Sequence, residues 1–486
     1  MKFQAKVTDV TKIEADLLAV FAGSEDARKV DGALDGLLTE VAAEEDFVEA
    51  KQGNLLFIHT HGKISAKRVL LVGLGKIPEL TAADLQTIAA KIGRKAKEVA
   101  AKRVAIALPK ELQAQAMVEG LMLGTYTFSK HKSEETRNKE KHIEEVILLT
   151  TPPRLNVVVG GLSRGETVSQ AVMFTRDLVN EPPSFTTPTH LADVSKKLVK
   201  GHATMSCEVF GPQEMKKLGM EAILGIARGS EEEPRFIKLS YKGGSSKTVC
   251  LVGKGITFDT GGLSLKDSKN METMKLDMAG AAAILGVFSV LPILKPNINV
   301  VGLIAATENM PGPKAVKPGD VVRAMNGKTI EILNTDAEGR VVLADALSYA
   351  GVNVKANAIV DLATLTGACM VALGEEIAGM FTDDEMLAKD LKRSAAQSGE
   401  NIWAMPLSKE YKELLKSDVA DVKNISGSKY GGAINGALFL QEFAPKGIPW
   451  AHVDIAGPAY AEKDTALTPK GGTGFGVRML LQWLLQ

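Results

Sequence analysis

The stretch VCLVGKGITFDTGGLSLK, residues 249–266, decides how the second half of the chain is interpreted. Its apolar start, VCLV, predicts a buried strand that ends at Gly253. Lys254, Asp259 and Lys266 follow among glycines. In open parallel sheets, ligands bind beyond the carboxyl ends of the strands, so this loop is predicted to line a binding site.

Two further stretches carry polar groups next to apolar runs. METMKLDMAGAAAILGVFSVL places Asp277 at the start of an apolar, Ala-rich helix. NTDAEGR follows the short apolar run TIEIL and precedes the helix-like VVLADALSYA, and it carries Asp336, Glu338 and Arg340. We expect these stretches and the first one to meet on adjacent strand-end loops.

Each of these residues also has a structural explanation. An aspartate such as Asp259 commonly bonds backbone amides in a turn, and carboxylates such as Asp277 or Glu338 are favoured in the first turn of a helix. Four carboxylates and two lysines, however, are costly to bury unpaired. Two divalent cations ~3.5–4 Å apart would offset that cost, and oxygen ligands suit Mn²⁺, Mg²⁺ or Zn²⁺. Cys250 in VCLV is the only His or Cys in these stretches, so they lack the ligand set of a zinc-finger-like site.

The first part of the chain alternates predicted strands and helices. The strand candidates are LLAVFAG, NLLFIHT, KRVLLVGLG, RVAIAL and EEVILLT, and helical spacing is found in TAADLQTIAAKIGRKAKEVAA and ELQAQAMVEGLMLGTYTF. The polar run SKHKSEETRNKEKH mixes both charge signs and predicts a solvated loop. A helix follows that is predicted to stop before Pro182 and Pro183.

At 486 residues the chain is too long for one core. We therefore predict an α/β protein of two domains. Residues 1–151 form a small N-terminal α/β domain and residues 152–187 a linking helix. Residues 188–486 form a larger C-terminal α/β catalytic domain with a mostly parallel central sheet flanked by helices.

The composition limits the choice of compartment and partners. Lys+Arg and Asp+Glu are both 58, so net charge gives no support to nucleic-acid or membrane binding. Three cysteines, an odd number without metal-ligand spacing, argue against a disulfide framework. We recognise no signal peptide and no segment near the ~20 apolar residues of a membrane span. A cytoplasmic location is expected.

The combined motifs closely resemble the leucine aminopeptidase (cytosol aminopeptidase) family. NTDAEGR is the signature of that family, and VGKGITFDTGGLSLK, MKLDMAGAA, DLATLTGA and WAHVDIAG match its other blocks in order. RDLVNEPP, GIARGSEEEPR and SDVADVKNISGSKYGGAINGALFLQEF match as well. The resemblance extends from about Arg176 to the C-terminus, and over the first 150 residues it rests on size and α/β pattern alone.

The resemblance implies two metal ions, Mn²⁺ or Zn²⁺, and assigns their ligands. One ion would be held by Lys254, Asp259, Asp277 and Glu338. The other would be held by Asp259, Glu338 and Asp336, including the Asp336 backbone carbonyl. Asp259 and Glu338 would therefore bridge. Lys254 must lose its proton to act as a ligand, which a neighbouring dication favours.

The same resemblance gives Lys266 and Arg340 catalytic roles without metal ligation. A water that bridges two divalent ions ionises far more readily than bulk water and supplies a hydroxide. The Lys266 ammonium would stabilise the oxyanion that develops on the substrate. Arg340 cannot act as a base, so its implied role is to bind a bicarbonate cofactor that transfers the proton.

The substrate pocket of the family corresponds to Met274, Thr364 and Gly367, with a weaker match at Ala459. A methionine and small residues make an apolar pocket, so we expect removal of N-terminal Leu and other apolar residues from peptides. The resemblance further implies a homohexamer. His452 in WAHVDIAG is predicted to be a hydrogen-bonded core residue and not a general base.

Two other functions are compatible with parts of the sequence. A two-metal phosphoesterase would use the same metal chemistry, but these loops supply no cationic groups for phosphate beyond Lys266 and Arg340. A DNA-binding or scaffolding protein is the other alternative, since some members of the family that the sequence resembles also bind DNA, yet the neutral overall charge gives it no support.

Overall fold

The computed structural model describes residues 1–47 and 51–486, which form two compact units. The N-terminal unit comprises Met1–Gln170 and Lys463–Pro469. The catalytic unit comprises Ala171–Glu462 and Lys470–Gln486. The division falls inside one long helix, so that this helix contributes residues to both units.

Six strands form the sheet of the N-terminal unit: β1 Lys2–Lys6, β2 Leu17–Phe21, β3 Leu55–His59, β4 Arg68–Val72, β5 Arg103–Ala107 and β6 Glu145–Leu149. Their order is β1-β6-β5-β2-β4-β3, and in the described part of the chain only the β3–β4 pair is antiparallel. The five predicted strands are confirmed. β1 was not predicted, because the alternating polar residues of this edge strand leave only a weak apolar signal.

The helices that belong wholly or partly to this unit are α1 Glu25–Ala33, α2 Leu37–Glu44, α3 Ala82–Glu98, α4 Ala114–Gly124, α5 Glu134–Asn138 and α6 Leu155–Asn180, with 3₁₀ turns at Val10–Lys12, Ile77–Glu79 and Pro152–Arg154. The predicted helices correspond to α3 and α4, and α6 ends before the two prolines as expected. The polar run predicted as a loop contains α5. The Ser133 side chain caps this helix by accepting a hydrogen bond from the Thr136 N–H, which sequence polarity alone did not reveal.

The core of this unit covers both faces of its sheet. On β2, Leu17, Ala19 and Phe21 pack into one apolar cluster, whereas Leu18 and Val20 pack into another on the opposite face. This pattern is typical of a parallel strand that is covered on both sides.

The strands of the catalytic unit are β7 Met205–Phe210, β8 Arg235–Tyr241, β9 Thr248–Asp259, β10 Asn299–Asn309, β11 Val321–Arg323, β12 Thr329–Glu331, β13 Ala358–Ala363, β14 Ile377–Phe381, β15 Asn401–Ala404, β16 Val422–Lys423, β17 Trp450–Asp454, β18 Tyr460–Ala461 and β19 Gly471–Gly472. Eight of them form the central sheet, in the order β15-β14-β17-β13-β9-β10-β8-β7. The pairs from β17 through β13 and β9 to β10 are parallel, which confirms the mostly parallel α/β sheet.

The remaining helices are α7 Pro188–Val199, α8 Pro212–Lys217, α9 Glu221–Ala227, α10 Ser268–Met271, α11 Ala279–Leu294, α12 Glu338–Asn353, α13 Gly367–Leu373, α14 Glu385–Ser398, α15 Gly432–Gln441 and α16 Val477–Leu484, with 3₁₀ turns at Met274–Met278 and Lys409–Leu415. The largest core cluster of the unit joins residues of β9, β10 and β13 to those of α9, α12 and α15.

The strand β9 is longer than predicted. It continues to Asp259, so the expected end at Gly253 is wrong and Lys254 lies inside the strand. Gly253 pairs with β10 on one side and β13 on the other. A Cβ at this glycine would lie 2.8 Å from the Ala281 backbone in α11. Gly253 therefore permits close helix–strand packing and does not mark a turn.

The segment Met274–Leu294, which contains α11, contradicts our expectation that no segment is long and apolar enough to span a membrane. It has 21 residues and a mean hydropathy of 1.9. Within the protein, 78% of its most apolar window is buried. A helix that is apolar on all sides is also typical of the centre of a large core. α11 packs against β9 and is such a core helix.

Candidate metal centre

The three polar stretches of the sequence converge on one site. The end of β9 and the loop after it supply Asp259 and Lys266, and the 3₁₀ turn before α11 supplies Asp277. The stretch NTDAEGR connects β12 to α12. Because β12 belongs to a separate sheet of three strands, the expectation of adjacent loops on one sheet is wrong for this stretch.

Lys254 lies at the centre of the site and is 4% exposed. Its Nζ lies 2.7 Å from Asp277 Oδ1 and 2.9 Å from Glu338 Oε1, and it donates to the Thr364 carbonyl at 2.9 Å. Burial alone would lower the pKa of Lys254, but Asp277 and Glu338 outweigh burial and raise it above the ordinary value. A Cβ at Gly339 would lie 2.6 Å from this Nζ, which explains the glycine in NTDAEGR.

Lys266 pairs with a second group of carboxylates, Asp259 and Asp336. Its Nζ lies 2.9 Å from Asp259 Oδ2 and 2.5 Å from Asp336 Oδ1. Each of Asp259, Asp336 and Glu338 offers an oxygen atom, and these oxygens lie within 4.8 Å of one another. We call the six residues of these two groups the buried cluster: Lys254, Asp259, Lys266, Asp277, Asp336 and Glu338.

The charges of the buried cluster do not balance, because four carboxylates face two ammonium groups. Burial raises the pKa of Asp277 to about 6, that of Glu338 to about 8, and that of Asp336 above its usual range. Asp277 Oδ2 and Glu338 Oε2 are buried without a hydrogen-bond donor among the described residues. Surplus negative charge and unpaired carboxylate oxygens fit divalent cations that prefer oxygen ligands.

Arg340 lies beside the buried cluster. Its Nη1 donates to the Asn424 carbonyl at 2.9 Å, and its side chain is buried. Burial lowers the pKa of Arg340 to about 10, so the guanidinium stays protonated at neutral pH. In the described part of the chain, Nε has no hydrogen-bond partner, which leaves donor capacity for an anion.

The residues of the predicted substrate pocket lie on segments that reach the buried cluster. Thr364 contacts it directly, since its Oγ1 donates to Asp277 Oδ1 at 2.6 Å. Met274 begins the 3₁₀ turn that contains Asp277 and is half-buried. Gly367 is exposed at the start of α13, with open space where a Cβ would be. Ala459, the weaker match, is buried.

His452 is confirmed as a core residue. It is fully buried, its Nδ1 lies 2.6 Å from Asp361 Oδ1, and its ring stacks on Phe381. Asp361 also accepts a hydrogen bond from Trp450 Nε1 at 2.7 Å.

Sequence reasoning missed three polar residues that hold the site together. Asn424 accepts from the Leu333 N–H at 2.9 Å and donates to the Asn334 carbonyl at 2.6 Å, which fixes the start of NTDAEGR. Asp454 accepts from the Thr366 hydroxyl at 2.7 Å. Asn309 Nδ2 donates to Asp259 Oδ1 at 2.8 Å. Their only sequence signal is a polar residue at the end of an apolar strand or loop.

The fold and the carboxylate-rich centre define a metal-dependent hydrolase of the α/β class. Residues 173–481 match the cytosol aminopeptidase family, catalytic domain, and residues 19–135 match the cytosol aminopeptidase family, N-terminal domain. The chain therefore belongs to the cytosol aminopeptidase family, whose members are metallo-aminopeptidases that depend on a dinuclear metal centre. This confirms the resemblance found in the sequence.

Relatives match over nearly the whole chain. A probable cytosol aminopeptidase of Alkaliphilus oremlandii is 42% identical, covering 99% of this chain and 98% of its own length. A probable cytosol aminopeptidase of Geobacter sp. is 43% identical over 93% of this chain and 92% of its own. Among solved structures, a tomato leucine aminopeptidase mutant has a TM-score of 0.89 at 36% identity, covering 100% of this chain and 96% of that one. The bottromycin maturation enzyme BotP in complex with Mn has a TM-score of 0.86 at 36% identity, covering 97% and 99%.

Proposed function

We propose that this chain is an aminopeptidase of the leucyl aminopeptidase type, which removes N-terminal Leu and other apolar residues from peptides. The observation that carries the proposal is the buried cluster. Its carboxylates outnumber its lysines, and one oxygen each of Asp277 and Glu338 has no hydrogen-bond donor among the described residues. Membership in the cytosol aminopeptidase family supports it, as does the Mn complex of the similar BotP structure.

Two divalent ions, Mn²⁺ or Zn²⁺, would divide the buried cluster between them. Lys254, Asp259, Asp277 and Glu338 would hold one, and Asp259, Asp336 and Glu338 the other. When bound, the ions supply a water of lowered pKa as the nucleophile for the first peptide bond. Lys254 has to be neutral to act as a ligand, so metal binding at this residue releases a proton.

Lys266 and Arg340 would act on the substrate side of the centre. The Lys266 ammonium stabilises the negative charge that develops on the carbonyl oxygen in the transition state. The buried guanidinium of Arg340, with Nε unpaired among the described residues, would hold bicarbonate, an anion that supplies a proton acceptor. Arg340 itself stays protonated and takes no part in proton transfer.

The preference for the N-terminus would follow from the free α-amine, which distinguishes the first residue of a peptide. In its neutral form this amine could act as a ligand of one of the two ions. Binding of the amine fixes the first peptide bond beside the nucleophile. The first side chain then enters a pocket formed by Met274, Thr364 and Gly367, where a methionine and small residues favour apolar groups.

We also propose a cytoplasmic homohexamer. The location is supported by the name of the relatives, cytosol aminopeptidases, and the assembly by the family resemblance in the sequence. Peptides are the proposed partners, with no membrane association. Sedimentation of the purified chain tests the assembly.

Hydrolysis of leucyl-p-nitroanilide by metal-stripped protein, with Mn²⁺ or Zn²⁺ added back, tests the activity. We expect activity only with metal, and a loss of at least about 10³-fold in kcat/KM in Glu338→Ala, because a carboxylate at the centre of the cluster is removed. N-acetyl-leucyl-p-nitroanilide, which lacks the free amine, should be hydrolysed at least about 10²-fold more slowly. Wild-type protein that is inactive with metal, both here and on a dipeptide panel, would falsify the proposal.

A further inference from the structure

Asn309, the last residue of β10, lies next to the buried cluster without belonging to it. It is 1% exposed, and its Nδ2 donates to Asp259 Oδ1 at 2.8 Å and to the Thr335 carbonyl at 3.0 Å. Both partner atoms are acceptors when Asp259 is ionised, so the nitrogen of the amide and not its oxygen has to face them. The two hydrogens of this nitrogen are thereby both used.

The backbone fixes Asn309 from the strand side. Its carbonyl accepts from the Thr260 N–H at 3.0 Å and from the Thr260 hydroxyl at 2.8 Å. In the ladder between the two strands, Thr307 pairs with Ile256 and Asn309 pairs with Asp259. β9 thus advances three residues where β10 advances two, which is a β-bulge. Bulges next to active sites redirect side chains, and this one lies directly before Asp259.

The contacts of Asp259 separate the roles of its two oxygens. Oδ1 accepts from Asn309 Nδ2 and from the Gly261 N–H, both at 2.8 Å. Oδ2 faces Lys266 at 2.9 Å and is the oxygen that remains for a metal. Thr335, whose carbonyl the same amide holds, directly precedes Asp336, and its hydroxyl donates to the Gly261 carbonyl at 2.6 Å. One amide therefore connects the chain segments that carry Asp259 and Asp336.

We propose that Asn309 is a positioning residue of the metal centre. Its amide sets the spacing between Asp259 and the backbone next to Asp336, and it directs Oδ2 of Asp259 toward the metals. The inference rests on the proposed function only in requiring that the buried cluster binds metal. Partners that orient metal ligands in this way typically contribute 10–100-fold to metal affinity.

Titration of the metal-stripped full-length chain with Mn²⁺ in a calorimeter tests this role in Asn309→Leu and Asn309→Ala. Both variants remove the amide donors. Asn309→Leu keeps a side chain of similar volume, whereas Asn309→Ala leaves a cavity. We expect both to bind Mn²⁺ about 10–100-fold more weakly than the wild type. At saturating Mn²⁺, kcat on leucyl-p-nitroanilide should remain lowered while KM changes little, because the ligands stay misplaced.

Asn299→Leu is the matched control, since Asn299 is the first residue of the same strand. Its amide donates to the Ser245 carbonyl at 2.7 Å and accepts from the Gly243 N–H at 3.0 Å, so the variant also loses two hydrogen bonds. Ten residues of strand separate it from Asn309 by about 33 Å. We expect a lowered Tm and wild-type affinity for Mn²⁺.

Folded Asn309→Ala or Asn309→Leu protein with wild-type Mn²⁺ affinity overturns the positioning role and leaves the proposed function intact. An equal loss of affinity in Asn299→Leu overturns it as well, since the effect would then be one of general destabilisation. Wild-type protein that binds no Mn²⁺ overturns both this inference and the proposed function.

Discussion

Two groups of charged residues in this protein have similar composition and opposite surroundings. In the N-terminal unit, Lys67, Lys102 and Arg103 pair with Asp16, Glu144 and Glu145 around a surface cavity of about 600 Å³, and we call these six the surface cluster. The side chains of Lys67 and Lys102 are 72% and 70% exposed, whereas Lys254 and Lys266 in the buried cluster are 4% and 15% exposed.

The difference shows what identifies the candidate centre. In the surface cluster the charges of the three pairs balance and the three cationic side chains are about half or more exposed to solvent, so the ion pairs require no further partner. In the buried cluster, carboxylates outnumber lysines and two carboxylate oxygens have no donor among the described residues. Burial combined with unbalanced charge, and not the number of charged residues, therefore indicates a metal site.

The largest difference between the two clusters is expected in kcat when one lysine of each is replaced. Lys266→Met takes away the cation that faces Asp259 and Asp336, and should lower kcat on leucyl-p-nitroanilide about 10²–10³-fold, as for loss of one oxyanion-stabilising group. Lys67→Met is the matched change in the surface cluster and should leave kcat unchanged. A Lys266→Met enzyme that keeps more than a tenth of its activity would exclude this role for the ammonium.

A buried carboxylate whose two oxygens both accept from backbone N–H groups tests whether burial alone is enough to indicate a metal site. Asp345 in α12 is fully buried, and its two oxygens accept from the N–H groups of Ile223 at 2.9 Å and Met325 at 2.8 Å. Asp345→Ala leaves two buried donors unpaired and should lower the free energy of unfolding of the catalytic unit by about 2–4 kcal/mol. Urea unfolding measures this change, and Mn²⁺ affinity measured on the same sample should not change.

The partially exposed Asp390 serves as the control for Asp345. Its ion pair with Arg393 lies on the surface of α14, so Asp390→Ala should cost less than about 1 kcal/mol. If Asp345→Ala instead weakened Mn²⁺ binding and left the unfolding transition in place, burial with complete hydrogen bonding would no longer distinguish a structural carboxylate from a ligand.

The charged residues of the centre were predictable from the sequence because they stand out locally, as carboxylates and lysines beside glycines and apolar runs. The strands of the N-terminal unit were predicted for the same reason, apart from the polar edge strand β1. The length of β9 was not predictable, since Gly253 permits close packing against a helix that lies almost thirty residues away in the chain. Asn309 was missed because its bond to Asp259 joins residues 50 positions apart, across a bulge that no local pattern signals.

The smallest effect is expected for Lys67→Ala in the surface cluster. Lys67 Nζ lies 2.7 Å from Asp16 Oδ1, but Asp16 Oδ2 also accepts from the backbone N–H groups of Lys102 and Arg103, each at 3.0 Å. These bonds remain in the variant, so the free energy of unfolding of the N-terminal unit should fall by less than about 1 kcal/mol. Urea unfolding at low and high salt checks this, because an exposed pair is screened and the difference should shrink as salt rises. A loss above about 2 kcal/mol that persists in high salt would mean that exposed pairs contribute as much here as buried ones, and burial would no longer separate the two clusters.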